Sequence, residues 1–196
     1  NELPELKEML ENKFITKRKH PTAELYIYNY TAKAQYERVW NETTLTCRGL
    51  ITDGGGKIVS RPFKKFFNLE ELESLPNEPF EVWEKVDGSL GISYWMDGEP
   101  YIATRGAFDS PQSLRANLML HFQYRDDWSL MNPDYTFLFE IIYPENRIVV
   151  DYGGKSKLCL LSVVETCTGQ EQDINGYSFD TPFYYRINRF SELIQL

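Results

Sequence analysis

The chain has 196 residues, 42% of them hydrophobic and 15% aromatic, with 29 acidic against 21 basic side chains and a net charge of -8. That length and apolar content suffice for one sizeable folded core and exclude a disordered chain. The acidic balance excludes diffuse attraction to nucleic acid, leaving such a partner only a local basic patch.

Cys47, Cys159 and Cys167 show neither a paired framework nor metal-ligand spacing, and read as core thiols of a reducing, cytoplasmic protein. No apolar run of about 18 residues offers a membrane span. Leu3 to Asn12 has the apolar spacing of a short helix with Pro4 near its first turn. Lys17-Arg18-Lys19-His20 reads as a solvated basic loop, with a phosphate contact as the alternative and no partner visible for His20. Glu24 to Thr31 alternates as a strand. Two further strands flank Asp53-Gly54-Gly55-Gly56, a hairpin turn, since no helix or Gly-Lys-Ser/Thr follows to make a phosphate loop. Asn68, with Glu71 three residues on, caps a helix running to about Leu75.

Strands are predicted for the run into Lys85, for Ser89 to Met96 and for Tyr101 to Arg105, the last two joined by Asp97-Gly98. Ser110-Pro111 opens a helix whose Leu114, Leu118, His121 and Phe122 share one face, which makes His121 a packed core histidine. Tyr135 to Tyr143 is a buried strand broken by one acid, Glu140, and burying a carboxylate costs several kcal/mol unless it is paired. Leu158 to Glu165 is another buried strand, and a short helix is expected near Phe190 to Leu196.

Lys85-Val86-Asp87-Gly88 is the stretch with chemical potential. A lysine amine becomes a nucleophile once its proton is lost, which burial or nearby cations favour, and Phe80, Val82 and Trp83 offer that burial. On its own, Asp87-Gly88 reads first as an exposed hairpin turn.

The neighbouring elements decide between them. Lys85-Val86-Asp87-Gly88-Ser89-Leu90, Cys47-Arg48-Gly49, Ser60-Arg61-Pro62 with Lys64-Lys65-Phe66-Phe67-Asn68, and Phe139-Glu140 with Asn146-Arg147-Ile148-Val149 follow one another in an order that resembles the phage RNA ligase 1 class of ATP-dependent RNA ligases, over about residues 44 to 170. The resemblance implies an α+β nucleotidyltransferase, with antiparallel sheets face to face, helices outside, and a nucleotide cleft between them. It implies that Lys85 attacks the α-phosphorus of ATP to form lysyl-AMP, that the adenylate passes to an RNA 5′-phosphate, and that a 3′-hydroxyl, of tRNA or another broken RNA, displaces AMP. By the family pattern Arg48 holds the nucleotide's phosphate or ribose, Lys65 and Phe67 support the pocket, and Gly88 lets the backbone approach the nucleotide. Arg105 stands where the family often has lysine, and Glu140 contacts the ribose. Asp87 and Glu140 are the candidate magnesium ligands, through water.

The family's later elements are a Glu-Gly-x-Val strand and a Lys-x-Lys strand that binds the ATP phosphates. No lysine follows Lys157, Lys155-Ser156-Lys157 precedes its expected place, and Asn175-Gly176-Tyr177 has Asn for Glu. Residues 1–196 therefore read as one adenylyltransferase domain lacking its last motifs, part of a longer ligase and impaired in adenylylation on its own. Two other readings stay open: a DNA ligase or capping-type nucleotidyltransferase, which shares the lysine motif, and a non-catalytic module that binds nucleotide or RNA ends.

Overall fold

The computed structural model describes residues 3–74, 78–146, 149–150, 152–187, 189 and 192. In chain order the elements are α1 (Leu6–Glu11), β1 (Ile15–Lys19), β2 (Leu25–Tyr30), α2 (Ala32–Tyr36), α3 (Glu42–Thr46), β3 (Arg48–Asp53), β4 (Ile58–Ser60), β5 (Val82–Trp83), β6 (Ser89–Met96), β7 (Glu99–Thr104), α4 (Pro111–Phe122), β8 (Tyr135–Ile142), β9 (Lys157–Glu165), β10 (Glu171–Gln172) and β11 (Tyr184–Tyr185). They form an antiparallel four-stranded sheet, β1-β2-β3-β4, a five-stranded sheet, β10-β9-β8-β6-β7, and a two-stranded ribbon, β11-β5.

The period-2 alternation of the strands sorts their side chains into layers. On the outer face of the four-stranded sheet, Ile15, Tyr28 and Leu50 pack with Met9 of α1. On its inner face Ile27 and Ile51 meet Tyr94, Ala103 and Phe108, which joins the two large sheets face to face. The five-stranded sheet turns Phe137, Phe139, Ile141, Leu158 and Leu160 toward Ala116, Met119 and Leu120 of α4. The order is helix, sheet, sheet, helix, as the α+β reading expects. Ser60 and Arg61 tie the sheets across: the Ser60 hydroxyl donates to the Ser93 carbonyl (2.7 Å), the Arg61 N–H donates to the Thr136 hydroxyl (2.9 Å), and Arg61 Nε donates to the Thr166 carbonyl (2.7 Å).

Several expectations need correction. The basic cluster is a strand whose residues after Ile15 are exposed, and its pairing with β2 supplies hydrogen bonds that composition cannot show. His20 is buried and well partnered: Nε2 lies 3.2 Å from the Tyr94 hydroxyl, and Nδ1 accepts from the Thr22 and Ala23 N–H groups. The Asp53 turn is a hairpin as expected, its carboxylate taking the Gly55 and Lys57 N–H groups at 2.9 Å each, donors that a phosphate loop would need free. Asn68 and Glu71 form the expected capping box, yet it opens only a 3-10 turn, Leu69–Glu71, whose flanking Leu69 and Leu72 are exposed and give a longer helix no buried face; Leu75, the expected end, lies outside the described residues. Cys167 is exposed, while Cys47 and Cys159 are buried. The helix expected at residues 190–196 lies outside the described residues apart from Glu192.

The largest correction concerns α4. Ser110 caps it as expected, accepting from the Ser113 N–H at 3.1 Å. The face that packs is Ser113, Ala116, Met119 and Leu120, while Leu114, Leu118 and Phe122 are exposed. Asn117 sets this rotation by bridging edge strand β7: its Oδ1 accepts from the Ile102 N–H (2.7 Å) and its Nδ2 donates to the Ile102 carbonyl (3.1 Å). Small Ser113 and Ala116 then let the helix sit close to the sheet. His121 is packed, with its ring 4.5 Å from Trp128 and Nε2 3.1 Å from the Pro100 carbonyl.

This rotation separates two leucines two positions apart. Leu120→Ala should destabilise the chain by about 2–5 kcal/mol, and Leu118→Ala by no more than about 0.5 kcal/mol. Urea denaturation of both variants checks it; comparable losses would restore the helix face expected from sequence.

Candidate active site

Glu140 lies on the inner face of β8, between Leu138 and Ile142, and is register partner to Leu90 of the neighbouring β6. The chain enters β6 from Lys85-Val86-Asp87-Gly88, so the same pairing delivers Lys85 to the mouth of the space between the sheets. Gly88 makes this possible. A Cβ there would stand 2.4 Å from the Ile141 carbonyl oxygen and 3.2 Å from Glu140 Cγ. The glycine thus lets the lysine loop press against β8.

Asp87 locks the loop from its other side. Its Oδ2 accepts the Val149 and Val150 N–H groups at 2.6 and 2.8 Å, and its own N–H donates to the Tyr152 hydroxyl at 2.9 Å. Asn146 adds a second tie, donating from Nδ2 to the Ile141 carbonyl and the Ser89 hydroxyl, each at 3.0 Å. Arg147 and Ile148 of the same motif lie outside the described residues.

A cavity of about 650 Å³ lies here, a size suited to a nucleotide. Of the residues expected from sequence, Lys85, Gly88, Arg48, Arg105 and Glu140 line it. Asp87 faces a separate cavity of about 270 Å³ with Tyr143, Asn146 and Tyr152. Lys65 and Phe67 stand behind the wall: Lys65 Nζ donates to the Phe66 carbonyl and lies 5.1 Å from the Trp40 ring and 4.4 Å from Phe67. The aromatic lining comes from Phe63 and Phe66, the latter 5.6 Å from the Arg48 guanidinium.

Of the basic and aromatic residues after Pro62, which could equally have been a core edge, Phe63 and Phe66 line the cavity, whereas sequence reasoning missed Asn29 and Tyr30. Tyr30 receives a hydrogen bond from Arg105 Nη1 (3.1 Å), and its hydroxyl raises the Arg48 pKa against the effect of burial. Asn29 and Tyr30 end an ordinary alternating strand, and no local signature distinguishes them. The expected burial of Lys85 is also absent: Lys85, Phe80 and Trp83 are exposed, because β5 is a two-residue strand that stacks Trp83 on Tyr184.

The cavity gathers charges of both signs. Three cations and two carboxylates line the cavity. One of those carboxylates, Glu140, is pushed up to about 7, chiefly by burial and also by Asp87, against the opposing pull of Lys85, Arg48 and the Gly88 N–H. Burial likewise lowers Arg48, with Arg105 adding repulsion. Lys157 of the misplaced Lys-x-Lys triplet is taken up by an ion pair with Asp180 (2.5 Å), which raises its pKa. Among the described residues no three His, Cys, Asp or Glu side chains cluster to hold a metal, and no helix is long and apolar enough to cross a membrane.

The two packed antiparallel sheets with a cleft between them define a nucleotidyltransferase-type ligase fold. A solved structure of similar fold, titled as a provisional ATP-dependent DNA ligase from Aquifex aeolicus, superimposes with a TM-score of 0.54 at 17% identity, over 91% of this chain and 49% of that one. Residues 46–181 match the family described as RNA ligase, so the chain belongs to the RNA ligase family, in its phage RNA ligase 1-like class. Among its relatives, each 30% identical, are the RNA ligase of Rhodothermus phage RM378 (66% of this chain, 39% of the relative) and a provisionally named RNA ligase of Thermovibrio ammonificans (84% and 44%). A provisionally named bifunctional polynucleotide kinase/RNA ligase of Autographa californica nuclear polyhedrosis virus is also 30% identical (81% and 26%). The chain thus spans about a quarter to under half the length of these relatives.

The raised pKa of Glu140 has a consequence for stability. The folded chain holds this proton more tightly than the unfolded one, so the contribution is full below the ordinary value of 4.5 and is lost as pH rises through about 7. Between about pH 5 and 8 the native chain should therefore lose up to roughly 3 kcal/mol relative to Glu140→Gln. Denaturation of both proteins across that range measures it; parallel profiles would remove the assigned titration.

Proposed function

We propose that this chain is the adenylyltransferase domain of an ATP-dependent RNA ligase. The observation that carries the reading is the convergence of Lys85, Arg48, Arg105 and Glu140 on one nucleotide-sized cavity, with Lys85 at its open mouth.

In the proposed first step the Lys85 ammonium gives up a proton and Nζ attacks the α-phosphorus of ATP. The N–P bond forms, the bond to the bridging oxygen breaks, and pyrophosphate leaves. In the second step a phosphate oxygen of an RNA 5′ end attacks the same phosphorus and frees the lysine. A 3′-hydroxyl then attacks the RNA phosphorus and expels AMP. Each step is an in-line displacement, where positioning and charge neutralisation supply most of the rate. Arg48 and Arg105 would neutralise phosphate oxygens, held in place by Tyr30. Phe63 and Phe66 give the base an apolar wall. Glu140 would meet the ribose hydroxyls, and a carboxyl pushed up to about 7 can both donate and accept there.

Magnesium, which the reading requires, would shield the phosphate charge. Glu140 suits it as a ligand through water alongside substrate phosphates, whereas Asp87 Oδ2 is committed to two backbone N–H groups. Asp87 then acts as the brace of the lysine loop. The RNA substrate, tRNA or another broken strand, and a cytoplasmic setting belong to this proposal.

The decisive test is incubation of the chain with magnesium and α-labelled ATP, followed by denaturing separation. Label from ATP, absent with GTP and in Lys85→Ala, is the expected result. Label that persists in Lys85→Ala would overturn the assignment of the nucleophile. Sealing of nicked RNA but not nicked DNA by the full-length protein separates RNA ligase from the DNA ligase reading.

A further inference from the structure

The nucleotide cavity does not end at Arg105. A second concavity of about 470 Å³, broadly open to solvent, continues from it and shares Asn29, Thr104, Arg105 and Gly106 with it. Its far wall is β1, the edge strand of the four-stranded sheet, which contributes Thr16 and Arg18. Strand alternation divides the basic cluster sharply here. Lys17 lies on the opposite face, 4.2 Å from the centre of the Tyr26 ring, and Lys19 pairs with Glu24. Arg18 alone of the three basic side chains turns toward the groove, where it is exposed and engages no ion pair or hydrogen bond among the described residues. At the junction of the two spaces Asn29 carries a buried side-chain oxygen with no partner among the described residues.

Three facts favour one occupant. An uncommitted guanidinium presents a planar fork of donors that matches phosphate oxygens. An open trough suits an extended chain better than a small molecule, which prefers enclosure. The chain carries a net charge of -8, so attraction for a polyanion survives only where cations face a channel together, as Arg18 and Arg105 do. We propose that this groove carries the RNA strand whose end reacts at Lys85, with Arg18 contacting a backbone phosphate away from the reacting end and Arg105 standing between strand and nucleotide. The inference rests on the RNA ligase reading for the identity of its ligand.

The test is a fluorescence anisotropy titration of a short 5′-phosphorylated single-stranded oligoribonucleotide, without ATP and over a salt series. The proteins are the native chain, Arg18→Ala, Arg18→Lys, and Lys7→Ala on α1, which removes the same charge from a remote surface. Loss of one phosphate contact should weaken binding by Arg18→Ala several-fold and reduce the slope of log affinity against log salt by about 0.7. Arg18→Lys should keep the slope, and Lys7→Ala should bind as the native chain does. Equal affinity and slope for Arg18→Ala and the native chain, an equal loss in Lys7→Ala, or no binding by the native chain would each overturn the proposal. Because no ATP is present, a native chain that bound RNA through Arg18 yet formed no lysyl-AMP would refute the catalytic reading and leave this one standing.

Discussion

The close passage of Gly88 over β8 is the constraint on which the site depends. Strand β8 and the loop that enters its neighbour β6 carry Glu140 and Lys85, and their separation is set by how near that loop can come to the Ile141 carbonyl. A Cβ at 2.4 Å from a backbone oxygen cannot be relieved by turning a side chain, so any larger residue must push the loop outward and take Lys85 with it. Asp87 and Asn146 hold the loop in that position from either side, one through the Val149 and Val150 N–H groups and the other through Ile141 and Ser89. Three roles fall to three neighbouring residues: Lys85 is carried to the cavity mouth, Asp87 braces the loop and Gly88 permits the contact.

That geometry also explains the charge pattern. A carboxylate on the inner face of β8 would be costly to ionise in isolation, and its pKa near 7 records that cost. Arg48 and Arg105 repel one another across the Tyr30 hydroxyl. The net charge of -8 leaves a polyanion no diffuse attraction to the chain as a whole.

How much of this was legible in the sequence depended on range. Hairpins and caps are local, and Asp53-Gly54-Gly55-Gly56, Asp97-Gly98, Ser110 and Asn68 all behave as their chemistry dictates. The inner-face position of Glu140 was visible as an acid in an apolar run. The rotation of α4 was hidden, because apolar spacing alone puts Leu114, Leu118 and Phe122 inside, while the deciding contact is a hydrogen bond between Asn117 and a strand fifteen residues earlier. Tyr30 was hidden for the same reason: its partner Arg105 is seventy-five residues away. Arg18 was visible as charge only, and its direction became readable once the register of β1 on β2 was known.

Lys65 and Phe67 are the instructive case between legible and hidden. The family pattern attaches them to the nucleotide pocket, and they do not line it. Their influence is transmitted instead. Phe67 and Trp40 meet edge to face at 5.8 Å, Trp40 and Tyr30 meet likewise at 5.1 Å, and Lys65 rests its charge on both Trp40 and Phe67. Tyr30 then presents its hydroxyl to the two cavity arginines. A motif residue can therefore support a site it never touches, by fixing the rotamer of an aromatic ring two contacts away, because an edge-to-face stack tolerates little rotation of either partner. A sequence pattern records that both residues matter to the pocket without recording at what remove.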